Sequence, residues 1–191
     1  MDYRIMIQST PNPNALKFVL NTAVKNEGNY TYKSAAECAH NPLAKAIFEL
    51  DTSTREVYFF DNYITVTQNG NADWDALEEK IKNTILGQIK DHNPDFETPT
   101  AKEEVVKVAD PSNPDIAQIN SILDQTVRPA LQMDGGDIQL VDYEDNVLRI
   151  FYQGACGSCP SSTMGTMMAI ENILKDQFNP EISVQLAENV G

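Results

Sequence analysis

Two cysteines, Cys156 and Cys159, are the residues of this chain best suited to chemistry. They lie in the stretch GACGSCPSS, between an apolar run that predicts a strand and a long helical pattern. Thiolates are soft ligands for iron, zinc and copper(I), and a two-residue spacer lets both sulfur atoms point to the same side of a turn. Pro160 suits the first turn of the following helix. Because helix N-termini favour negative charge, we expect both thiols to ionise more easily than an ordinary cysteine.

Three uses of this cysteine pair are open: ligation of a metal or cluster, thiol–disulfide exchange, and one half of a structural zinc site. Zinc sites and iron–sulfur clusters normally take four protein ligands, whereas residues 114–191 contain only these two cysteines and no histidine. A two-fold axis would supply the missing pair from a second copy of the chain. A thioredoxin-like dithiol–disulfide oxidoreductase needs further strands, and too little chain follows Cys159 to provide them.

The segments around the cysteines predict a small α/β domain over residues 114–191. Asn113 and Pro114 predict the start of one long helix, and Gly135 and Gly136 predict its end. DIQLVDY and VLRIFYQ predict two strands, the helix after Cys159 follows, and EISVQLAE predicts a last strand, so the order is α-β-β-α-β. The methionines of the second helix share its pattern with isoleucines and a leucine, which predicts that they pack in the core. These residues are Met164, Met167, Met168, Ile170, Ile173 and Leu174.

The remainder of the chain predicts a second small domain and a connection. Residues 1–90 alternate between strand patterns, such as ALKFVL and the hairpin REVYFFDNYITVTQ, and helical patterns, of which one begins after Asp73. Cys38 and His40 have no further ligand residues beside them, which favours a structural role. Residues 91–113 contain three prolines and predict an acidic linker. The predicted fold class is therefore α+β, with two small α/β domains joined by a linker.

The composition excludes several classes of partner. The net charge is −14, and residues 114–191 carry three basic and eleven acidic side chains. A protein that binds nucleic acid or an anionic membrane needs a basic face, so neither partner is expected. The first ten residues lack a signal-peptide pattern, and no apolar run is long enough to span a membrane. We expect a cytoplasmic protein, with a trimmed organellar form as the alternative.

The motifs of both domains, taken together, resemble those of one family. VRP, DGGDI and GACGSCPSS, in that order, resemble the NifU C-terminal-type domain of the Nfu family of iron–sulfur scaffold and carrier proteins. STPNPNALKF, NPLAKAIFELD and YITVTQ resemble the separate Nfu N-terminal domain. The segment NTAVKNEG departs from the Pro-Gly turn expected after the second strand.

This resemblance implies a function. It implies a 4Fe–4S cluster held between two subunits by Cys156 and Cys159, received from a donor scaffold and delivered to apo-proteins. The chain would then be a homodimer when it carries the cluster, and a carrier rather than an enzyme. The dithiol–disulfide oxidoreductase and a zinc-binding structural module remain the alternatives, and the DGGD motif is expected to be a turn that ends a helix.

Overall fold

The computed structural model describes residues 2–97, 109–157 and 160–187, apart from the side chains of residues 160–162. The chain divides into two compact units, Met1–Thr98 and Pro99–Gly191. Each unit combines an antiparallel or mixed sheet with helices, which confirms the predicted α+β class. The domain limits predicted from the sequence, at residues 90 and 114, stay a prediction.

The described part of the first unit is built on a five-stranded antiparallel sheet with the order β1-β2-β5-β4-β3. Its strands are β1 (Ile5–Ser9), β2 (Ala15–Leu20), β3 (Lys25–Tyr32), β4 (Thr54–Asp61) and β5 (Tyr63–Gln68). The predicted hairpin is the β4–β5 pair, and Asp61 adopts a positive φ of 44° at its tight turn. The strand β3 was not predicted, because its sequence KNEGNYTY is polar and lacks a period-two apolar pattern.

Helices cover one face of this sheet and enclose the apolar core of the first unit. A 3-10 helix (Ala35–Cys38) precedes α1 (Pro42–Leu50), and α2 (Trp74–Gln88) ends in a second 3-10 helix (Ile89–Asp91). Asn41 and Asp73 cap α1 and α2 with side-chain oxygens that accept backbone N–H groups, as such residues typically do. Pro42 lies in the first turn of α1, where its missing N–H leaves no hydrogen bond unmade.

Part of the predicted linker belongs to the first unit. The ring of Phe96 is buried in its core, and the Lys25 ammonium donates to the Phe96 carbonyl at 3.1 Å. The Nε2 atom of His92 lies 2.8 Å from the Val24 carbonyl oxygen. Residues 92–96 therefore pack against β3, although three prolines in residues 91–113 made the whole segment appear as a linker in the sequence.

The second unit begins with two helices in place of the one predicted. They are α3 (Pro114–Thr126) and α4 (Arg128–Met133), and Val127 separates them. Asn113 caps α3 and Pro114 lies in its first turn, as predicted. The second helix starts here because Pro129 has no N–H to continue the hydrogen bonds of α3 but suits the first turn of a new helix.

A three-stranded sheet with the order β6-β7-β8 completes the described part of the second unit. Strand β6 (Gly136–Glu144) pairs antiparallel with β7 (Val147–Gly154), and α5 (Pro160–Gln177) crosses over to β8 (Ser183–Leu186), which is parallel to β7. Asp145 and Asn146 have positive φ angles at the β6–β7 turn. Among the described residues, its core contains fifteen buried side chains, including Ile119, Leu123, Leu148, Ile150, Ile170 and Leu174. Among the described helices, none combines the length and the apolar character that crossing a bilayer requires.

Candidate metal centre around Cys156

Cys156 lies in the turn that connects β7 to α5. Gly154 has a φ of +63°, which a glycine adopts without strain, and the Gly157 N–H donates to the Gly154 carbonyl at 3.1 Å. The Cys156 side chain is half-buried at the edge of the second core. Cys159, the other predicted ligand, lies outside the described residues. The structure thus places one predicted thiol on a tight turn, at the surface end of a strand.

The start of β6 holds this turn in place. Gly136 pairs with Gly154, and the Ala155 N–H donates to the Gly135 carbonyl at 3.1 Å. A Cβ atom at position 136 would lie 2.5 Å from the Cys156 Sγ atom and 2.6 Å from the Gln153 carbonyl oxygen. Real Cβ atoms essentially never come this close to other heavy atoms, so only glycine lets the turn approach β6. The DGGDI and GACGSC motifs are therefore in direct contact in the folded chain.

Asp137 follows this glycine and is held by a cluster of polar side chains. Its carboxylate accepts from the Gln132 amide at 3.1 Å and from the Ile138 N–H at 2.7 Å, and it lies 3.5 Å from the Arg128 Nε atom. Burial raises the pKa of Asp137, although both hydrogen bonds and the Arg128 charge lower it. The aspartate therefore fixes α4 against the start of β6.

Arg128, from the VRP motif, joins this cluster to α3. Its guanidinium donates to the Asp124 carboxylate at 2.6 Å, to the Asn120 amide oxygen at 2.9 Å and to the Ile138 carbonyl at 3.3 Å. The side chains of Arg128 and Asp137 are only 18% and 4% exposed. The arginine thus links the VRP and DGGDI motifs, a role that the sequence alone did not indicate.

Tyr152 lies next to the turn, and the Cys156 side chain affects the pKa of its hydroxyl group. Its hydroxyl group donates to the Thr163 carbonyl of α5 at 3.1 Å. Burial, together with a smaller contribution from the nearby Cys156, raises the pKa of Tyr152 to about 12. The phenol stays protonated at neutral pH, so it fixes the first turns of α5 relative to β7.

The core interpretation of the α5 methionines is wrong for two of the three. Met164 is 66% exposed and Met168 is 61% exposed, whereas only Met167 packs against the core. All three share the apolar pattern of α5, but they lie on different sides of the helix. Met167 packs against the core, while Met164 and Met168 face solvent. The pattern shows apolar residues without showing which of them a neighbouring element covers.

The other predicted residues belong to the first unit. Cys38 is fully buried in the first unit, where its thiol donates to the Ser34 carbonyl at 3.2 Å. His40 bonds the Tyr32 hydroxyl at 2.8 Å. Both side chains thus have partners within the first unit, and their structural role stays a prediction. Within the described ranges, no three Cys, His, Asp or Glu side chains come together as a metal site would need. The described part of one chain therefore contributes too few ligands for a closed metal site.

Both units match known family models. Residues 119–185 match the NifU-like domain, and residues 5–92 match the N-terminal domain of scaffold protein Nfu/NifU. The human NFU1 iron-sulfur cluster scaffold homolog, mitochondrial, is 33% identical over 186 residues, which cover 93% of this chain and 69% of the human protein. This chain belongs to the Nfu family. The resemblance drawn from the sequence motifs is confirmed.

Other relatives extend this comparison. The NFU1 iron-sulfur cluster scaffold homolog, mitochondrial, of Drosophila grimshawi is 33% identical over 181 residues, which cover 93% of this chain and 59% of the fly protein. The chain thus spans about three-fifths of the length of that Nfu relative. Among solved structures, the solution structure of a NifU-like protein from Saccharomyces cerevisiae covers 50% of this chain and 85% of its own, with 22% identity and a TM-score of 0.44.

The expected cytoplasmic location is wrong. The Nfu relatives from fly, human and Arabidopsis thaliana that match most of this chain are all named as mitochondrial proteins. The expectation depended on the lack of a signal-peptide pattern and of an apolar span. Neither feature distinguishes the cytoplasm from the interior of an organelle.

Proposed function

We propose that this Nfu-family chain is an iron–sulfur cluster carrier, which holds a 4Fe–4S cluster between two subunits and delivers it to apo-proteins. The observation that carries this proposal is the contact between Gly136 and the Cys156 thiol, because it holds a soft ligand at the surface end of β7. The relatives named as iron-sulfur cluster scaffolds support the same role. Their names also favour a mitochondrial location.

Cys156 and Cys159 are the proposed ligands of the cluster, as thiolates. Four cysteine ligands are usual for a 4Fe–4S cluster, and the chain's third cysteine, Cys38, is buried in the first unit. Two chains related by a two-fold axis would supply four thiolates from two CxxC turns. The loaded form is therefore proposed to be a homodimer, and the cluster is its cargo.

Delivery would proceed by ligand exchange at iron. A cysteine thiolate of the acceptor protein forms a bond to iron as the bond from Cys156 or Cys159 breaks, so no electron is transferred in the exchange. The incomplete burial of Cys156 supports this step, because an acceptor thiolate must reach the iron that this sulfur holds.

Anaerobic reconstitution with ferrous iron and sulfide tests this proposal, with three matched variants. We expect the wild-type chain and Cys38→Ala to become brown and to bind about two iron and two sulfide per chain, since two chains share one cluster. Cys156→Ala and Cys159→Ala should each lose the colour and the iron. Absorption spectra and metal analysis measure both quantities.

Different results would replace the proposal by a named alternative. A colourless wild-type chain that cycles a Cys156–Cys159 disulfide against a dithiol would identify a dithiol–disulfide oxidoreductase. Bound zinc after purification, with no uptake of iron and sulfide, would identify a zinc module.

A further inference from the structure

The first half of α5 presents an apolar face to solvent. Met164 and Met168 are mostly exposed, and Gly165 and Ala169 lie beside them and are exposed as well. A Cβ atom at Gly165 would meet nothing within 4 Å, so no described part of the chain covers this position. Residues at i, i+1, i+4 and i+5 share one side of a helix. We name these four residues the methionine face.

The methionine face is uncharged within an acidic unit. Residues 160–170 contain no charged side chain, whereas residues 114–191 carry eleven acidic and three basic ones. The first charged residues of α5 are Glu171 and Lys175, which pair with each other at 2.5 Å. Two copies of such a unit repel each other, and the repulsion is weakest where neither copy carries charge.

This face also adjoins the cysteine turn. The helix α5 begins at Pro160, directly after Cys159. With a rise of about 1.5 Å per residue, Met164 lies about 6 Å and Met168 about 12 Å along the helix from its start. When two cysteine turns come together at one cluster, the first turns of both α5 helices must approach each other as well.

We propose that the methionine face is the surface through which two copies of this chain contact each other in the cluster-loaded dimer. The inference rests on the proposed carrier function, because it is the shared cluster that brings the two turns together. A second copy suits the face better than an acceptor protein does, since one copy leaves the ligand set incomplete and both copies present the same uncharged surface. Gly165 and Ala169 allow two helices to approach closely, and methionine side chains adapt to a symmetric contact.

The methionine face is too small to hold a stable dimer together without the cluster. Four residues per copy are far fewer than the roughly 20–30 residues a side of a stable protein–protein interface. The contact therefore stabilises the dimer together with the cluster, and the metal-free chain stays monomeric at micromolar concentration. Cluster retention on dilution then depends on the methionine face as well as on the cysteines.

The test compares the wild-type chain with the double variant Met164→Gln/Met168→Gln and with the control Met6→Gln. Met6 is 63% exposed in the first unit, so the control makes the same change of an exposed methionine away from the cysteine turn. All three are reconstituted anaerobically, and sedimentation velocity measures the dimer fraction over a dilution series. We expect the double variant to require at least a tenfold higher concentration for dimerisation and to lose iron on dilution, while its metal-free circular dichroism matches the wild type. The Met6→Gln chain should behave as the wild type does.

Two results would overturn the inference and leave the carrier function intact. The first is a double variant that dimerises and retains iron as the wild type does. The second is an unchanged dimer with slower transfer to an acceptor, which would assign the face to acceptor proteins. A wild-type chain that takes up no cluster would overturn the carrier function itself, and the inference with it.

Discussion

Gly136 and Cys156 touch across the start of β6 and the turn after β7, so closely that a methyl group at position 136 would come within 2.5 Å of the cysteine sulfur. Gly136 is the second glycine of the DGGDI motif, and Cys156 is the first cysteine of the CxxC pair. The position of the thiol therefore depends on a residue twenty positions earlier that itself has no chemistry.

The substitution Gly136→Ala should displace the cysteine turn. The new methyl group meets the Gln153 backbone oxygen as well as the sulfur, and a backbone atom cannot move aside cheaply. We expect the second unit to lose about 1–3 kcal/mol of unfolding free energy and the chain to take up less iron on reconstitution. Urea unfolding followed by far-UV circular dichroism measures the first effect.

Gly87→Ala is the matched control for this substitution. A Cβ atom at Gly87, inside α2, meets nothing within 4 Å. The change should stabilise the first unit by up to about 1 kcal/mol, because alanine loses less conformational freedom in a helix than glycine does. Equal effects of the two substitutions on iron uptake would contradict the proposed contact.

The ion pair between Arg128 and Asp137 should contribute more to the free energy of unfolding than the more exposed pair between Arg149 and Asp142 does. Arg128→Gln leaves a buried carboxylate without its cation, and breaking such a pair typically destabilises a protein by about 3–5 kcal/mol. Arg149→Gln is the control, because Arg149 and Asp142 are 40% and 35% exposed, and exposed pairs contribute about 0–1 kcal/mol. Urea unfolding compares them. A loss for Arg128→Gln no larger than that for Arg149→Gln would contradict this ranking.

The first unit should lose stability as the pH falls below neutrality. Burial lowers the pKa of His92, although the hydrogen bond to Val24 raises it, and burial also lowers the pKa of His40. Below about pH 6.5 the unfolded chain binds protons that the folded unit does not. The stability that the neutral histidines contribute is therefore present above this pH and is lost as the pH falls toward their lowered pKa values.

Fluorescence of Trp74 follows this effect, because the chain's only tryptophan lies at the start of α2. The melting temperature reported by Trp74 should fall between pH 7.5 and pH 5.5, and it should fall less in the His92→Gln chain. Parallel curves for the two proteins would show that His92 does not carry the dependence.

Cys38 should be far less reactive than Cys156. Burial, together with a smaller contribution from the Glu37 charge, raises the pKa of Cys38 to about 12. The Cys38 thiol therefore stays protonated at pH 8, and only the thiolate reacts. Alkylation with iodoacetamide, read by peptide mass spectrometry, should modify Cys156 in the folded chain and Cys38 only in urea. Modification of both at similar rates in the folded chain would contradict the burial of Cys38.

Local signals made much of the fold predictable. Asp73 and Asn113 cap helices through their own side chains, so their positions are readable from a few neighbouring residues. The β4–β5 hairpin and the β6–β7 pair show short apolar runs on either side of turn residues, and both form as predicted. The break at Val127 was missed, because the apolar stripe continues through it while Pro129 acts on the backbone.

The residues that surround the candidate site were less predictable. The contact of Gly136 with Cys156 and the pairing of Arg128 with Asp137 depend on the packing of α4 against β6, which no sequence period encodes. Met164 and Met168 follow the apolar pattern of α5 but face solvent, because a pattern does not show where the sheet ends. The cysteine pair and the chemistry proposed for it come from sequence spacing, whereas the contacts that position Cys156 depend on tertiary structure.

Native mass spectrometry of the anaerobically reconstituted chain tests the central claim most directly. The account predicts a species with the mass of two chains plus one 4Fe–4S cluster, absent from the Cys156→Ala protein and retained by Cys38→Ala. A wild-type chain that remains a metal-free monomer under the same conditions, or that binds a complete cluster as a monomer, would contradict it.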